Sequence, residues 1–320
     1  MSARSVPGIP LVLLGPTAAG KSEIALHLAP LVGGEIVGAD SRQIYAGLEI
    51  GTAAPTPEER ARVPHHLASF LPPDAVYSAG RYAREAAPLL DAMAARGTRP
   101  IVVGGSGLYI RALFQGLFAG PERDESIRAE LNERIAREGL EALREELRRV
   151  DAEAWGKILP GDSVRVIRAL EVHRLTGVPI SELRRTRPRA ARPARRFGIR
   201  WAREPLAVRI ADRIQDQLRR GFLEETRALV ARGLRPESPG LHTLGYRELV
   251  AHVTGKMTLE EAVATIALRT RQLAKRQETW FRREPETRWF TIRDPMEFPE
   301  IAREIAREAL DAEVAGETEP

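Results

Sequence analysis

The chain changes rhythm twice along its length. In its first third, short apolar runs read as buried strands: Ile9 to Leu14, Glu35 to Ala39 and Pro100 to Val103. Apolar residues recur at helical spacing between them. Ile24, Leu28 and Leu31 mark a helix after the first run, and Ser78 to Ala95 and Leu108 to Phe114 mark two more. Strand alternating with helix predicts an α/β fold with a doubly wound parallel sheet. From about Pro121 the strand signal stops. Glu125 to Arg149 and Pro160 to Thr176 read as charged helices, hence an α-helical insertion over residues 121–196. Phe197 to Trp201 then reads as a strand returning to the sheet. It is followed by helices over Leu206 to Arg220 and Glu224 to Arg232, interrupted at Gly221 and Phe222. A turn at Thr243 to Glu248 opens another helix, Leu259 to Arg283 reads as one long helix, and Arg288 to Ile292 closes as a strand. The acidic tail beyond Asp311 is expected to fray. The core is therefore expected to comprise residues 1–120 and 197–320.

At 320 residues the chain has room for one large or two modest domains. It contains no cysteine, which excludes disulfides and cysteine-ligated zinc. No stretch reaches transmembrane length, and the residues before Ile9 lack the apolar segment of a leader. The expectation is a soluble cytoplasmic protein without membrane association. The net charge of +5 is modest, but its distribution is not. Arg184, Arg185, Arg187, Arg189, Arg192, Arg195 and Arg196 form one basic run, and Arg269 to Arg283 another. Such runs suit either a polyanionic partner or solvated faces.

The candidate chemistry begins at Gly15-Pro16-Thr17-Ala18-Ala19-Gly20-Lys21-Ser22, which fits G-x-x-x-x-G-K-[ST] between a strand and a helix. Its glycines permit a tight turn whose N–H groups face an anion, and the helix N-terminus adds partial positive charge. Lys21 can reach phosphate oxygens, and the Ser22 hydroxyl suits Mg2+. Only four of the 49 basic residues are lysines, so a lysine here points to a site that needs a compact ammonium. This predicts a P-loop NTPase-like, nucleotide-binding core. Whether the ligand is a triphosphate such as ATP or a diphosphate stays open. Asp40 ends the second strand and should face the loop, either as a functional carboxylate or as a helix N-cap. His65 and His66 are adjacent without metal-ligand spacing, which suits a structural or substrate-positioning role. Arg209 and Arg213 share one helix face, as do Arg165 and Arg168. Trp280 and Phe281 could stack on bases or pack in the core.

Together these segments resemble the tRNA dimethylallyltransferases. The resemblance spans Leu11 to Ile292. It rests on the phosphate loop, Asp40-Ser41-Arg42-Gln43-Ile44-Tyr45, Ile50-Gly51-Thr52, Pro64-His65 and Val103 to Tyr109. It rests further on Arg165 to Leu170, Leu244-Gly245-Tyr246-Arg247 and Arg271 to Arg282. It implies transfer of a dimethylallyl group from dimethylallyl diphosphate, with Mg2+, to N6 of the adenine beside the tRNA anticodon. Lys21, Arg209 and Arg213 would clamp the diphosphate, Asp40 would accept the amine proton, and Thr17 would lie beside the reacting carbon. By the same resemblance the anticodon stem-loop is touched by Asp40, Ser41, Arg42, Gln43, Ser106 and Arg128. The set continues with Val164, Arg165, Val166, Ile167 and Arg168, with Leu244, Gly245, Tyr246 and Arg247, and with Lys275, Arg276, Gln277, Trp280 and Arg282. A monomer is expected. Three rival readings are a small-molecule ATP kinase, an enzyme prenylating free adenine nucleotides, and a non-enzymatic RNA-binding module. The basic helices disfavour the first two, and the third leaves the loop and Asp40 without a role.

Overall fold

The computed structural model describes residues 8–118, 120–185 and 192–316. Strand β1 (Leu11–Leu14) leads through the phosphate loop into α1 (Lys21–Val32), then β2 (Gly34–Gly38). Short helices α2 (Glu49–Thr52) and α3 (Pro57–Arg62) precede β3 (His65–His66). Next come α4 (Ala79–Ala95), β4 (Arg99–Gly104) and α5 (Gly107–Phe114). After a helical unit, the chain resumes with β5 (Arg195–Trp201), α11 (Arg203–Arg219), α12 (Phe222–Ala231), α13 (Tyr246–Val253), α14 (Leu259–Phe281), β6 (Thr287–Ile292) and α15 (Phe298–Gly316).

These strands form one parallel sheet in the order β3-β2-β4-β1-β5-β6. A strand covered on both faces must be apolar throughout, and all four residues of β1 are fully buried. Its last residue, Leu14, pairs with Gly104 on one side and Gly198 on the other. The chain leaving β1 therefore emerges mid-sheet, between strands reached by crossovers of opposite sense. Ligands of open parallel sheets bind at such points.

The C-terminal segment differs from expectation. Beyond Asp311 the backbone stays helical to Gly316, continuing α15. Ile301, Ala302, Ile305, Ala306 and Ala309 recur at helical spacing and are buried in the same core as α1 and the sheet. The buried stretch ends at Ala309, and the helix runs on from it to Gly316. The two-residue strand β3 also went unseen, because His65 and His66 carry no apolar signal and are ordered by pairing with Ile36 and Val37.

Two compact units make up the chain: Met1–Phe114 with Arg192–Pro320, and Gln115–Ala191. The second consists of α6 (Glu125–Glu138), α7 (Leu140–Val150), α8 (Ala152–Lys157), α9 (Ser163–Thr176) and α10 (Ile180–Leu183). The single helix expected over 125–149 breaks at Gly139, whose φ of 82° caps α6 and starts α7. Leu131, Leu143, Leu147, Val166, Ile167 and Leu170 form its core. Of the first basic run, Arg187 and Arg189 lie outside the described residues.

Candidate functional site

The phosphate loop is held from outside by side chains. Gly20, at φ 89°, occupies a left-handed conformation at the N-terminus of α1. A Cβ there would also collide with the Phe298 ring at 2.4 Å, so only glycine fits. Three loop carbonyls accept bonds from side chains: Pro16 from Lys21 Nζ at 2.7 Å, Ala18 from Arg209 Nε at 3.1 Å, and Ala19 from Trp201 Nε1 at 3.1 Å. The Arg209 guanidinium in turn lies 4.7 Å above the Trp201 ring. Ala18, a non-glycine residue at φ 61°, is thus held in a conformation it would otherwise avoid. Arg209 accordingly braces the loop backbone. The Thr17 N–H donates to Gln277 Oε1 at 2.8 Å.

Burial dominates the electrostatics. It pushes the Lys21 ammonium down to about 8, with nearby Arg213 adding to the effect while Asp40 and Glu23 oppose it. Burial likewise lowers the Arg213 guanidinium, with Arg209 adding to it and Glu23 and Asp40 opposing. Both cations line the cavity that contains the phosphate loop.

Asp40 is not a helix N-cap. One carboxylate oxygen accepts the Arg42 N–H at 2.9 Å, forming a turn, and no helix begins until Glu49. Two cavities meet at this residue. The first, about 480 Å³, contains the phosphate loop from Thr17 to Ser22, with Arg209 and Arg213. The second, about 710 Å³, opens among Arg42, Ser106, Arg247, Arg269 and Arg276. Thr17, Asp40, Gly105, Arg213, Gln217 and Gln277 line both.

The residues expected to touch RNA fall into three groups. Arg42, Arg247, Lys275, Arg276 and Arg282 are exposed, although Arg282 pairs with Glu278 at 3.0 Å. Others are engaged within the fold. Ser41 N–H donates to Ser106 Oγ at 2.9 Å, and Gln43 Nε2 donates to the Ala53 carbonyl at 2.6 Å. Leu244 is half-buried. Trp280 is half-buried against Gly107, with the Arg111 guanidinium 4.5 Å from its ring, while Phe281 is core. The third group corrects the expectation. Tyr246 is fully buried and its hydroxyl donates to Glu225 and accepts from Gly51 N–H, while Gly245 is also buried and bonds to the Glu248 carboxylate. Val166 and Ile167 belong to the helical unit's core. A helix cannot turn five consecutive residues to one side. Along α9, Val164 and Arg165 face out, Arg168 is half-buried, and Val166 and Ile167 face in.

Within the helical unit, Arg128 and Arg168 converge on Glu171, whose side chain is completely buried. Arg128 donates through Nε at 2.7 Å and Nη2 at 3.0 Å, Arg168 through Nη1 at 2.6 Å, and Asp124 N–H at 2.9 Å. Sequence reading missed Glu171, though its i+3 spacing from Arg168 was a signal. It gave no signal for Trp201 or Phe298. His66 Nε2 meets Glu35 at 2.7 Å and His65 Nδ1 meets the Val63 carbonyl at 2.7 Å, and both residues line the loop cavity.

Comparison with known proteins supplies independent evidence. The model of a family described as IPP transferase matches residues 43–284. The chain is 42% identical to the tRNA dimethylallyltransferase of Geobacter sulfurreducens over 294 residues, 91% of this chain and 94% of that one. It is similar to the crystal structure of the full-length tRNA isopentenylpyrophosphate transferase from Bacillus halodurans, at 33% identity and a TM-score of 0.69 over 97% and 99% of the two chains. A eukaryotic dimethylallyltransferase, caught in crystallographic snapshots acting on tRNA, matches with a TM-score of 0.79 at 26% identity, over 92% of this chain and 77% of that one.

Proposed function

The chain belongs to the IPP transferase family, and from that premise we propose that it is a tRNA prenyltransferase. It transfers a dimethylallyl group from dimethylallyl diphosphate to N6 of the adenine beside the anticodon, position 37, and releases diphosphate. The observation that carries the reading is the pair of cavities sharing Thr17, Asp40 and Arg213. The loop side suits a diphosphate. The arginine-rimmed side suits a nucleobase withdrawn from its stack. The reacting atoms meet at the common wall.

An exocyclic amine is a weak nucleophile, so the barrier lies in breaking the allylic C–O bond. As it breaks, the electron pair passes to the departing diphosphate, while the N6 lone pair forms the new N–C bond at C1. The loop carbonyls are already engaged by Lys21, Arg209 and Trp201. The loop's amide donors other than the Thr17 N–H, together with Lys21 and Arg213, are set for the charge that grows on the leaving group, which stabilises the transition state more than the ground state. Asp40 accepts the proton that N6 must shed, a contribution typically of about 10²–10⁴-fold.

Magnesium fits the residues present. Ser22 lines the loop cavity at the start of α1. Among the described residues no cluster of three or more carboxylate or histidine groups could hold a metal by itself. Mg2+ commonly keeps water and substrate phosphate as most of its ligands, so one protein hydroxyl suffices. Bound there, it would neutralise charge on the diphosphate.

Exposed Arg42, Arg247, Lys275 and Arg276 supply phosphate contacts for the anticodon stem-loop. Within the helical unit, exposed Arg165 suits a phosphate contact of its own. We place the enzyme, as a monomer, in the cytoplasm with its tRNA substrate. Incubation with labelled dimethylallyl diphosphate and tRNA, free AMP, or ATP with small acceptors tests the reading. Label should pass to tRNA; label on AMP alone, or phosphate transfer from ATP, would overturn it.

A further inference from the structure

We infer that Gln277 is a positioning residue for prenyl transfer, fixing Thr17 from the helix that carries cations toward RNA. This rests on the prenyltransferase reading of the same site. Gln277 lies on α14, beside the exposed Lys275 and Arg276. Its amide does two things at once. Oε1 accepts the Thr17 N–H at 2.8 Å, and Nε2 donates to the Gly105 carbonyl at 2.9 Å. One partner needs an acceptor and the other a donor, so no lysine or arginine could serve both. The fit is close: a Cβ on Gly105 would stand 2.4 Å from Nε2, so a larger residue there would displace the amide.

The consequence falls on the reacting centre. Thr17 and Gln277 both line the wall shared by the two cavities, as does Asp40. In a phosphate loop, main-chain N–H groups are anion donors. Here the Thr17 N–H is taken by Gln277, which fixes the orientation of that peptide at the wall the two cavities share. The bond spans 260 residues, and it ties α14 directly to the loop that holds the leaving group. Gln277 thus acts on the reaction through Thr17.

The test compares full-length Gln277→Met, which lacks both functions, with Gln277→Glu, which keeps an acceptor for Thr17. Three readouts are taken: kcat with labelled dimethylallyl diphosphate, Kd for tRNA, and amide hydrogen exchange in the 11–22 segment. Gln277→Met should lower kcat by about 10- to 100-fold, as small displacements of reacting groups do. Its tRNA Kd should stay within twofold, and protection at the Thr17 amide should be lost. Gln277→Glu should retain that protection and recover part of kcat. A Met variant with normal kcat and exchange but a tRNA Kd raised tenfold would make Gln277 an RNA contact and overturn the inference. So would a Glu variant that keeps Thr17 protection yet turns over no faster than Met. Failure of the wild-type protein to prenylate tRNA would instead refute the underlying function, while the exchange readout would still report on the Thr17 bond.

Discussion

Replacing Glu171 with glutamine should loosen the helical unit. The carboxylate is completely buried, while its partners Arg128 and Arg168 retain 18% and 27% exposure. It accepts four hydrogen bonds, three of them from guanidinium groups. Burial alone pushes the Glu171 carboxyl up, but the bonds from Arg128, Arg168 and Asp124 N–H together outweigh it and leave the carboxyl below the usual range. Glu171→Gln keeps the shape and removes the charge. Breaking a buried ion pair by removing one partner costs ~3–5 kcal/mol. The residual exposure of the arginines places this case at the low end, about 3 kcal/mol, which is roughly a 150-fold change in an opening equilibrium. Hydrogen exchange read by mass spectrometry reports on α6 and α9 separately from the sheet, so the change should appear there and not in β1 or β4. The sign with pH follows from the lowered carboxyl. In the wild type this contribution is present above the unfolded-state value and is lost as pH falls through the depressed folded-state one. The glutamine variant should therefore lose its deficit relative to wild type in acid. Exchange in α6 and α9 within twofold of wild type at neutral pH would refute the reasoning.

Three further outcomes follow from the site. Asp40→Ala should cut turnover by about 10²–10⁴-fold while leaving tRNA affinity within a few-fold; near-normal turnover in a single-turnover assay would remove Asp40 as proton acceptor. Burial pushes the Lys21 ammonium down to about 8 from its ordinary 10.5, so an anion bound against it should restore its proton above pH 8. Inorganic diphosphate should thus bind more weakly at pH 9 than at pH 7, with proton uptake in calorimetry that Lys21→Met abolishes, whereas a flat pH response would contradict the burial argument. Between the two values the unfolded chain holds the extra proton, so this group's contribution to stability rises with pH across that window. Tyr246→Phe removes one buried hydroxyl whose partners keep other bonds; it should cost about 1 kcal/mol and lower Tm by about 2 °C. Its tRNA Kd should be unchanged, and a tenfold weaker Kd without a Tm shift would return Tyr246 to the RNA-facing surface.

What the sequence determined by itself was whatever is written in short-range spacing. The strand, loop and helix from Leu11 to Val32 were legible because their hydrogen bonds and glycine requirements connect residues a few positions apart. Asp40 was legible as a strand-end carboxylate, and the basic helix over residues 259–281 by its length and charge. Tertiary structure alone decided which side chains hold that loop. Trp201 reaches the Ala19 carbonyl across 182 residues, and Gln277 reaches Thr17 across 260. No periodicity encodes such pairings, because they depend on which strand lies beside β1 and which helix crosses above it. The same reason separates Val164 and Arg165 from Val166 and Ile167. The motif is continuous in sequence, but the helix distributes its members between solvent and core according to what packs against it.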